Sequence, residues 1–229
     1  MSSLLCIGHR GACGHEPENT LRSVRRALEL GVHGIEIDVR AVRGELFVMH
    51  DVTVNRTTNG TGYLTRKTIA QIRALDAGHG ERIPTLREVF ETVERRAFIN
   101  IELKGRGTAL PVSLLIEEFI VSRGWNYDDF LVSSFHRREL RRIINPRIRL
   151  ALLVTRPSPL YHLAAKRLRC GAINVALRHV SAHFVEHAHR RGLKVFVYTV
   201  NGGADIARMR VLRVDGVFSD FPERVLQSG

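Results

Sequence analysis

The sequence predicts an α/β fold closed into a (β/α)8 TIM barrel, with a small β-hairpin arm after the second strand. Three observations carry this. Apolar runs of strand length alternate with amphipathic helical segments, the pattern of parallel strands covered by helices. Eight such strands remain once the hairpin arm is set aside, and 229 residues is an ordinary length for an eightfold barrel. An open doubly wound sheet would need a glycine-rich dinucleotide turn after its first strand, and GHRGACG over residues 8–14 matches that turn poorly. No linker, low-complexity tract or composition break divides the chain, so residues 1–229 are expected to form one domain.

Leu4–Ile7 reads as a short buried strand that ends in Gly8-His9-Arg10-Gly11. Asn19 or Thr20 is suited to cap the helix Leu21–Leu30, which Gly31 closes. Gly34–Asp51, GIEIDVRAVRGELFVMHD, follows. Glu36 and Asp38 alternate there with Ile35, Ile37 and Val39, so a strand puts both carboxylates on one face and the branched residues on the other. Arg43-Gly44 turns the chain, and the arm Glu45–Met49 returns His50-Asp51 to the neighbourhood of those carboxylates. A polar loop, TVNRTTNGTGYL, leads to a helix near Thr68–Leu75 and another over Leu86–Arg95. Phe98–Lys104 is the next strand, with Glu102 and Lys104 on one face.

From there helix and strand alternate. Helix Ala109–Ser122 precedes strand Phe130–Ser133, and helix Arg137–Ile144 precedes strand Arg149–Val154. Helix Leu160–Arg169 leads to strand Ala172–Val175, and helix Ala182–Arg191 to strand Lys194–Thr199. Helix Asp205–Leu212, strand Gly216–Ser219 and a closing helix from Pro222 complete the series.

Barrel active sites lie at the carboxyl ends of the strands, and the unusual polar residues occupy such ends. His9 and Arg10 follow the first strand, Glu36 and Asp38 lie on the second, and Glu102 and Lys104 lie on the one after the arm. Carboxylates pushed out of apolar strands are costly unless their charge is compensated, and a divalent cation would compensate it. Three carboxylates without cysteine suit a hard cation such as Mg²⁺ or Ca²⁺ better than zinc. Arg10 and Lys104 would face an anion held by that metal. Lysine at 104 stands out, because four of the 35 basic residues are lysine and the rest arginine. His9 and His50 are suited to act as general base and general acid across a scissile bond. Metal, two cations and an acid–base pair together describe displacement at phosphorus. His183, His187 and His189 also show metal-like spacing, but with no acid or functional loop nearby they are expected to form a solvated helix face.

Cys6, Cys13 and Cys170 are odd in number and widely spaced, which fits reduced thiols in a cytoplasmic protein rather than a disulfide framework or zinc site. The amino terminus lacks a basic region and its apolar run is too short for a signal peptide or membrane span. A net charge of +12 is read as arginine-rich, solvated helix faces that attract anions. No nucleic-acid motif or aromatic platform accompanies it, so no nucleic-acid partner is expected.

The chain resembles the glycerophosphodiester phosphodiesterases through GHRGACGHEPENT, GIEIDV with a downstream MHD, NRTTNGTG, IPTLREV, INIELK, SSF, YTVN and DGVFSDFP. These linked motifs run in the family's order along nearly the whole chain. The resemblance implies a barrel of the PLC-like phosphodiesterase type that hydrolyses glycerophosphodiesters to an alcohol and sn-glycerol 3-phosphate. It implies one divalent cation, Mg²⁺ or Ca²⁺ with Mn²⁺ as a third candidate, on Glu36, Asp38 and Glu102. It makes His9 and His50 the acid–base pair, and Arg10 and Lys104 the phosphate contacts. Glycerophosphocholine and glycerophosphoethanolamine are the expected substrates, attacked by water or by the glycerol 2-hydroxyl. The family usually has an acid where Arg43 stands, a tryptophan where Tyr198 stands, and HDPT where this chain has His50-Asp51-Val52-Thr53. Tyr198 is accordingly expected to line the pocket and bear on headgroup choice. The short segment between His50 and the next core strand implies a compact, soluble form with an open site. A lysophospholipase D-type reaction is the enzymatic alternative, because the basic surface allows transient contact with anionic membranes. A non-catalytic nucleic-acid-binding protein is the alternative from another class.

Overall fold

The structure, a computed structural model, describes residues 4–227. Its nine strands are β1 Leu5–Gly8, β2 Gly34–Val42, β3 Glu45–Val48, β4 Phe98–Leu103, β5 Phe130–Ser134, β6 Leu150–Val154, β7 Ala172–Ala176, β8 Lys194–Tyr198 and β9 Gly216–Ser219. Eight of them pair in parallel in the circular order β1, β2, β4, β5, β6, β7, β8, β9, and β1 pairs with both β2 and β9 to close the barrel. β3 is the hairpin arm, antiparallel to β2, with Val39 opposite Val48 and Val42 opposite Glu45. The arm forms because Arg43 and Gly44 both take positive φ, as a two-residue hairpin turn requires. Met49 then donates its N–H to the carbonyl of Asp38 and carries His50 beside the acidic strand.

Strand parity sorts the core into two layers. Outward residues such as Ile35, Ile37, Val39, Ile99, Ile101 and Val132 pack under the helices. Those helices include α1 Leu21–Glu29, α2 Ile69–Arg73, α3 Leu86–Val93, α4 Ala109–Arg123 and α5 Arg137–Arg142. The remaining helices are α6 Tyr161–Arg167, α7 Ala182–His189, α8 Gly203–Val211 and α9 Pro222–Gln227. Inward residues Ile7, Leu131, Ala151, Ala172, Phe196 and Phe218 plug the barrel from below. A third cluster, with Phe47, Met49, Val54, Leu64 and Ile72, fills the space under the arm.

Some boundaries differ from the sequence expectation for local reasons. The helix expected over Leu86–Arg95 stops at Val93, because Glu94 and Arg95 both take left-handed backbone. Of the two candidate caps, Thr20 caps α1, its hydroxyl accepting from the N–H of Ser23. The helix near Thr68–Leu75 shortens to α2, with Thr68 as its cap. Helix α7 ends at His189, and its imidazoles are not simply solvated. His187 Nδ1 lies 2.8 Å from the Tyr161 hydroxyl, and His189 Nε2 lies 2.8 Å from Asp215 Oδ2. Asp215, folded in from just before β9, is an acid that the local sequence around α7 does not show.

Candidate active site

Alternation along β2 and β4 aims Glu36, Asp38 and Glu102 into the barrel, above the apolar plug. Each offers an oxygen, and these oxygens lie within 4.8 Å of one another. All three are buried, Asp38 to 1% exposure. Two cations hold the cluster together. Lys104 Nζ is 2.8 Å from Glu102 Oε1 and 3.5 Å from Asp38 Oδ1. Arg10 Nε is 3.2 Å from Asp38 Oδ2, and the Arg10 backbone N–H donates to Glu36 Oε2 at 3.0 Å. Both cations lie among carboxylates, because three buried negative charges need compensation.

The electrostatics follow from this crowding. Burial, with Asp38 and Glu102 beside it, pushes the Glu36 carboxyl well above the usual range. Burial and Asp38 push Glu102 up to about 7. For Asp38 burial acts in the same direction, but Lys104 and Arg10 together outweigh it and hold the carboxyl below its ordinary value. Lys104 is raised, burial being outweighed by Asp38 and Glu102.

The positions around the cluster depend on the loop after β1. Arg10 takes positive φ and Gly11 follows at +83°; a Cβ on Gly11 would collide with Ser23 on α1. Asn19, at φ 59°, turns its side chain inward instead of capping the helix. Its Nδ2 donates to Asp38 Oδ2 at 2.9 Å and its Oδ1 accepts from the Asp38 N–H at 3.2 Å.

Both histidines face the cavity with their Nδ1 atoms tied behind them. His9 Nδ1 is 2.6 Å from Asp220 Oδ1, and His50 Nδ1 is 2.6 Å from Asp51 Oδ1. A carboxylate only accepts, so each Nδ1 carries the proton and each Nε2 is left for the cavity. His9 Nε2 lies 3.9 Å from Glu36 Oε2. Burial holds the His50 imidazole below its usual value, against the pull of Asp38 and its bond to Asp51. Asp220 sits well below the carboxylate range; burial opposes this, and its bonds from His9, Cys13 and Asn201 prevail. Asn201 Nδ2 donates to Asp220 Oδ2 at 2.7 Å, and Cys13 Sγ lies 3.0 Å from Oδ1. His9, Cys13 and Asp220 thus bring a second set of donor atoms within 4.8 Å of one another, although hydrogen bonds already join them. On the other side Arg56 bonds Asp51 and Glu18, and Glu18 bonds Arg10, so a chain of ion pairs runs from His50 back to the cluster. Arg40 donates to the carbonyls of His50 and Lys104, pinning both loops to β2.

These groups surround one cavity of about 250 Å³ at the carboxyl ends of the strands. His9, Arg10, Glu36, His50, Glu102 and Lys104 line it, and Asp38 lies just behind the wall. All seven residues singled out from the sequence therefore meet. Leu153, Phe218, Phe135 and Tyr198 add apolar and aromatic surface to the cavity lining, beside the carboxamides of Asn100 and Asn174. Phe135 and Tyr198 meet edge-to-face, and the Tyr198 hydroxyl donates to the Val154 carbonyl at 2.9 Å. Asp220, Asn19, Glu18, Arg56 and Arg40 were missed: Asp220 is 211 residues from His9, and the shorter pairings of Glu18, Arg56 and Arg40 depend on how the loops fold back over the strand ends. A buried three-carboxylate set beside two cations fits a hard divalent ion: the donors are all oxygen, and the charge excess is negative. The site can hold a phosphate ester between that set and two imidazoles.

Comparison with known proteins agrees. The model of the Glycerophosphoryl diester phosphodiesterase family matches residues 9–224. A glycerophosphodiester phosphodiesterase of Caldanaerobacter subterraneus is 36% identical over 240 residues, covering 97% of this chain and 96% of its own. Among solved structures, an Oleispira antarctica phosphodiesterase in complex with the product sn-glycerol-3-phosphate superposes with a TM-score of 0.88. It is 28% identical, over 98% of this chain and 96% of that one. A glycerophosphodiester phosphodiesterase from Agrobacterium tumefaciens gives 0.83 at 28% identity, over 99% of this chain and 100% of its own.

Proposed function

Because the chain belongs to the glycerophosphoryl diester phosphodiesterase family, we propose that it hydrolyses small glycerophosphodiesters, glycerophosphocholine and glycerophosphoethanolamine among them, to an alcohol and sn-glycerol 3-phosphate. The observation that carries this reading is the pair of imidazoles, each with Nδ1 on a carboxylate at 2.6 Å, beside three buried carboxylates in one cavity.

Glu36, Asp38 and Glu102 would hold a single divalent cation, Mg²⁺, Ca²⁺ or Mn²⁺. When bound, that ion supplies Lewis-acid stabilisation of charge growing on the phosphoryl oxygens. Arg10 and Lys104 contribute positive charge beside the same oxygens and orient the diester. One histidine Nε2 takes the proton of the attacking hydroxyl, water's or the adjacent glycerol 2-hydroxyl, the latter giving a cyclic phosphate that water then opens to glycerol 3-phosphate. The other, starting as an imidazolium, gives its Nε2 proton to the departing alkoxide as the bond to phosphorus breaks. Asp220 and Asp51 keep each imidazole in the tautomer that leaves Nε2 free, and they stabilise whichever ring becomes charged.

We read residues 1–229 as one such barrel domain. Cys6, Cys13 and Cys170 are unpaired, which supports a reducing, cytoplasmic setting. No helix among the described residues is long and apolar enough to cross a membrane. A second reading, hydrolysis of lysophospholipids, is favoured by the exposed Phe135 at the cavity mouth and Leu160 on the loop after β6. Rates on lysolipid micelles against water-soluble diesters separate the two.

The test is release of sn-glycerol 3-phosphate from glycerophosphocholine after EDTA treatment, with each divalent ion then restored. Metal-restored release is expected. No release with any ion overturns the proposal.

A further inference from the structure

Across the barrel from the acidic cluster, the cavity carries a carboxamide with nothing to bind. In the circular strand order, β7 stands four places from β2 in either direction, diametrically opposite Glu36 and Asp38. Asn174, in the middle of β7, is 1% exposed and lines the cavity. Neither its Nδ2 nor its Oδ1 has a hydrogen-bond partner among the described residues. Asn100 on β4, equally buried, also lines the cavity. Its Nδ2 donates to Ser133 Oγ at 3.0 Å, but its Oδ1 is unpartnered.

Such a residue works against the fold. Ile173 and Val175 on either side pack outward, and Ala172 below Asn174 and Phe196 beside it on β8 belong to the apolar plug. A leucine or valine at 174 would continue that plug without a desolvation cost, whereas a buried carboxamide without partners is destabilising. Buried polar groups in native proteins are almost always satisfied, so an exception facing a cavity points to a ligand that satisfies it.

The ligand's chemistry follows from the groups left over. Asn174 presents two N–H donors and an acceptor. A trimethylammonium group can neither donate nor accept. A primary ammonium donates only. A hydroxyl does both.

We propose that Asn174 is a recognition site for hydroxyl groups on the part of the substrate that reaches across the barrel from the phosphate. The proposal rests on the reading that the phosphodiester sits at the acidic cluster. The hydroxyl comes either from the terminal carbon of the glycerol moiety or from a polyol alcohol esterified on the other side.

The experiment compares the parent protein with Asn174→Leu on three diesters, reading kcat/KM. The first is glycerophosphocholine, whose hydroxyls are all on glycerol. The second is its analogue lacking only the terminal glycerol hydroxyl. The third is glycerophosphoinositol, with a polyol on both sides. A site that hydrogen-bonds a substrate hydroxyl discriminates strongly once either partner is removed. If glycerol is the source, the substitution lowers kcat/KM about tenfold or more on the first and third diesters, and less than about threefold on the deoxy analogue. If the polyol is the source, the large loss is confined to glycerophosphoinositol. Asn174→Leu should melt no lower than the parent; Asn174→Ala, which only enlarges the cavity, serves as the second variant should leucine overpack it. Equal losses on all three diesters, or none, overturn the proposal and leave the phosphodiesterase reading intact. Absence of turnover by the parent protein overturns that reading, and the proposal with it.

Discussion

Asp220→Asn isolates the orienting role proposed for the acid behind His9. In the parent, Asp220 Oδ1 meets His9 Nδ1 at 2.6 Å while Oδ2 accepts from Asn201 Nδ2 at 2.7 Å. Asn201 Oδ1 in turn accepts from the Asp220 N–H at 2.9 Å, which fixes the carboxylate plane. An amide at 220 has one acceptor oxygen. If that oxygen keeps the Asn201 bond, the amide NH2 faces His9 Nδ1 and drives the ring into the tautomer with the proton on Nε2. A hydrogen bond to a charged group is worth about 1.5–3 kcal/mol, and every ~1.4 kcal/mol is tenfold in rate. The expected loss in kcat is therefore roughly tenfold to hundredfold from the charge alone, and larger once the tautomer inverts. The assay is release of glycerol 3-phosphate at saturating divalent ion, alongside calorimetric measurement of metal affinity. Asp220 touches none of the three carboxylates of the cluster, so metal affinity should be unchanged. A kcat within threefold of the parent would refute the orienting role. So would an equal fall in metal affinity, which would mark a general disturbance of the site.

Two further outcomes follow from the same geometry. Glu36 and Glu102 bind protons more tightly folded than unfolded, the latter titrating at about 7. The sign is that of carboxyls raised on folding: the metal-free fold loses their contribution as pH climbs from the ordinary carboxylate range through about 7. A divalent ion must displace those protons, so the metal-induced rise in Tm should be small near about pH 5.5 and much larger near about pH 8; a gain independent of pH would contradict it. Gly11→Ala forces a side chain at φ +83° against Ser23, and should lower unfolding free energy by about 2 kcal/mol or more, read by urea denaturation; a change under about 0.5 kcal/mol would show that the loop relaxes freely.

The barrel was legible because a parallel strand and a helix leave different periodicities, and here they alternate along the chain. Strand parity also made the acidic cluster legible: alternation with Ile35, Ile37 and Val39 left Glu36 and Asp38 no direction but inward. What sequence reading missed were the partners. His9 and Asp220 are 211 residues apart, brought together only because β1 pairs with β9 at the barrel's closure. Asn19 read as a helix cap because its residue type suits a cap, yet Thr20 beside it does that work and leaves Asn19 for Asp38. Asn174 did leave a signal: a carboxamide at the inward position of an apolar strand, by the same parity argument that exposed Glu36. Arg10 and Lys104 were placed correctly at the cluster, but their pairing with its carboxylates depends on burial, which composition does not reveal.

The most direct measurement of the central claim is glycerol 3-phosphate release by His50→Ala at saturating divalent ion, with Tm and metal affinity recorded in parallel. The account predicts a fall in kcat of about a hundredfold or more, with the fold and metal affinity preserved, because His50 lies outside the carboxylate cluster. Near-parental turnover by a folded, metal-loaded His50→Ala protein would contradict it.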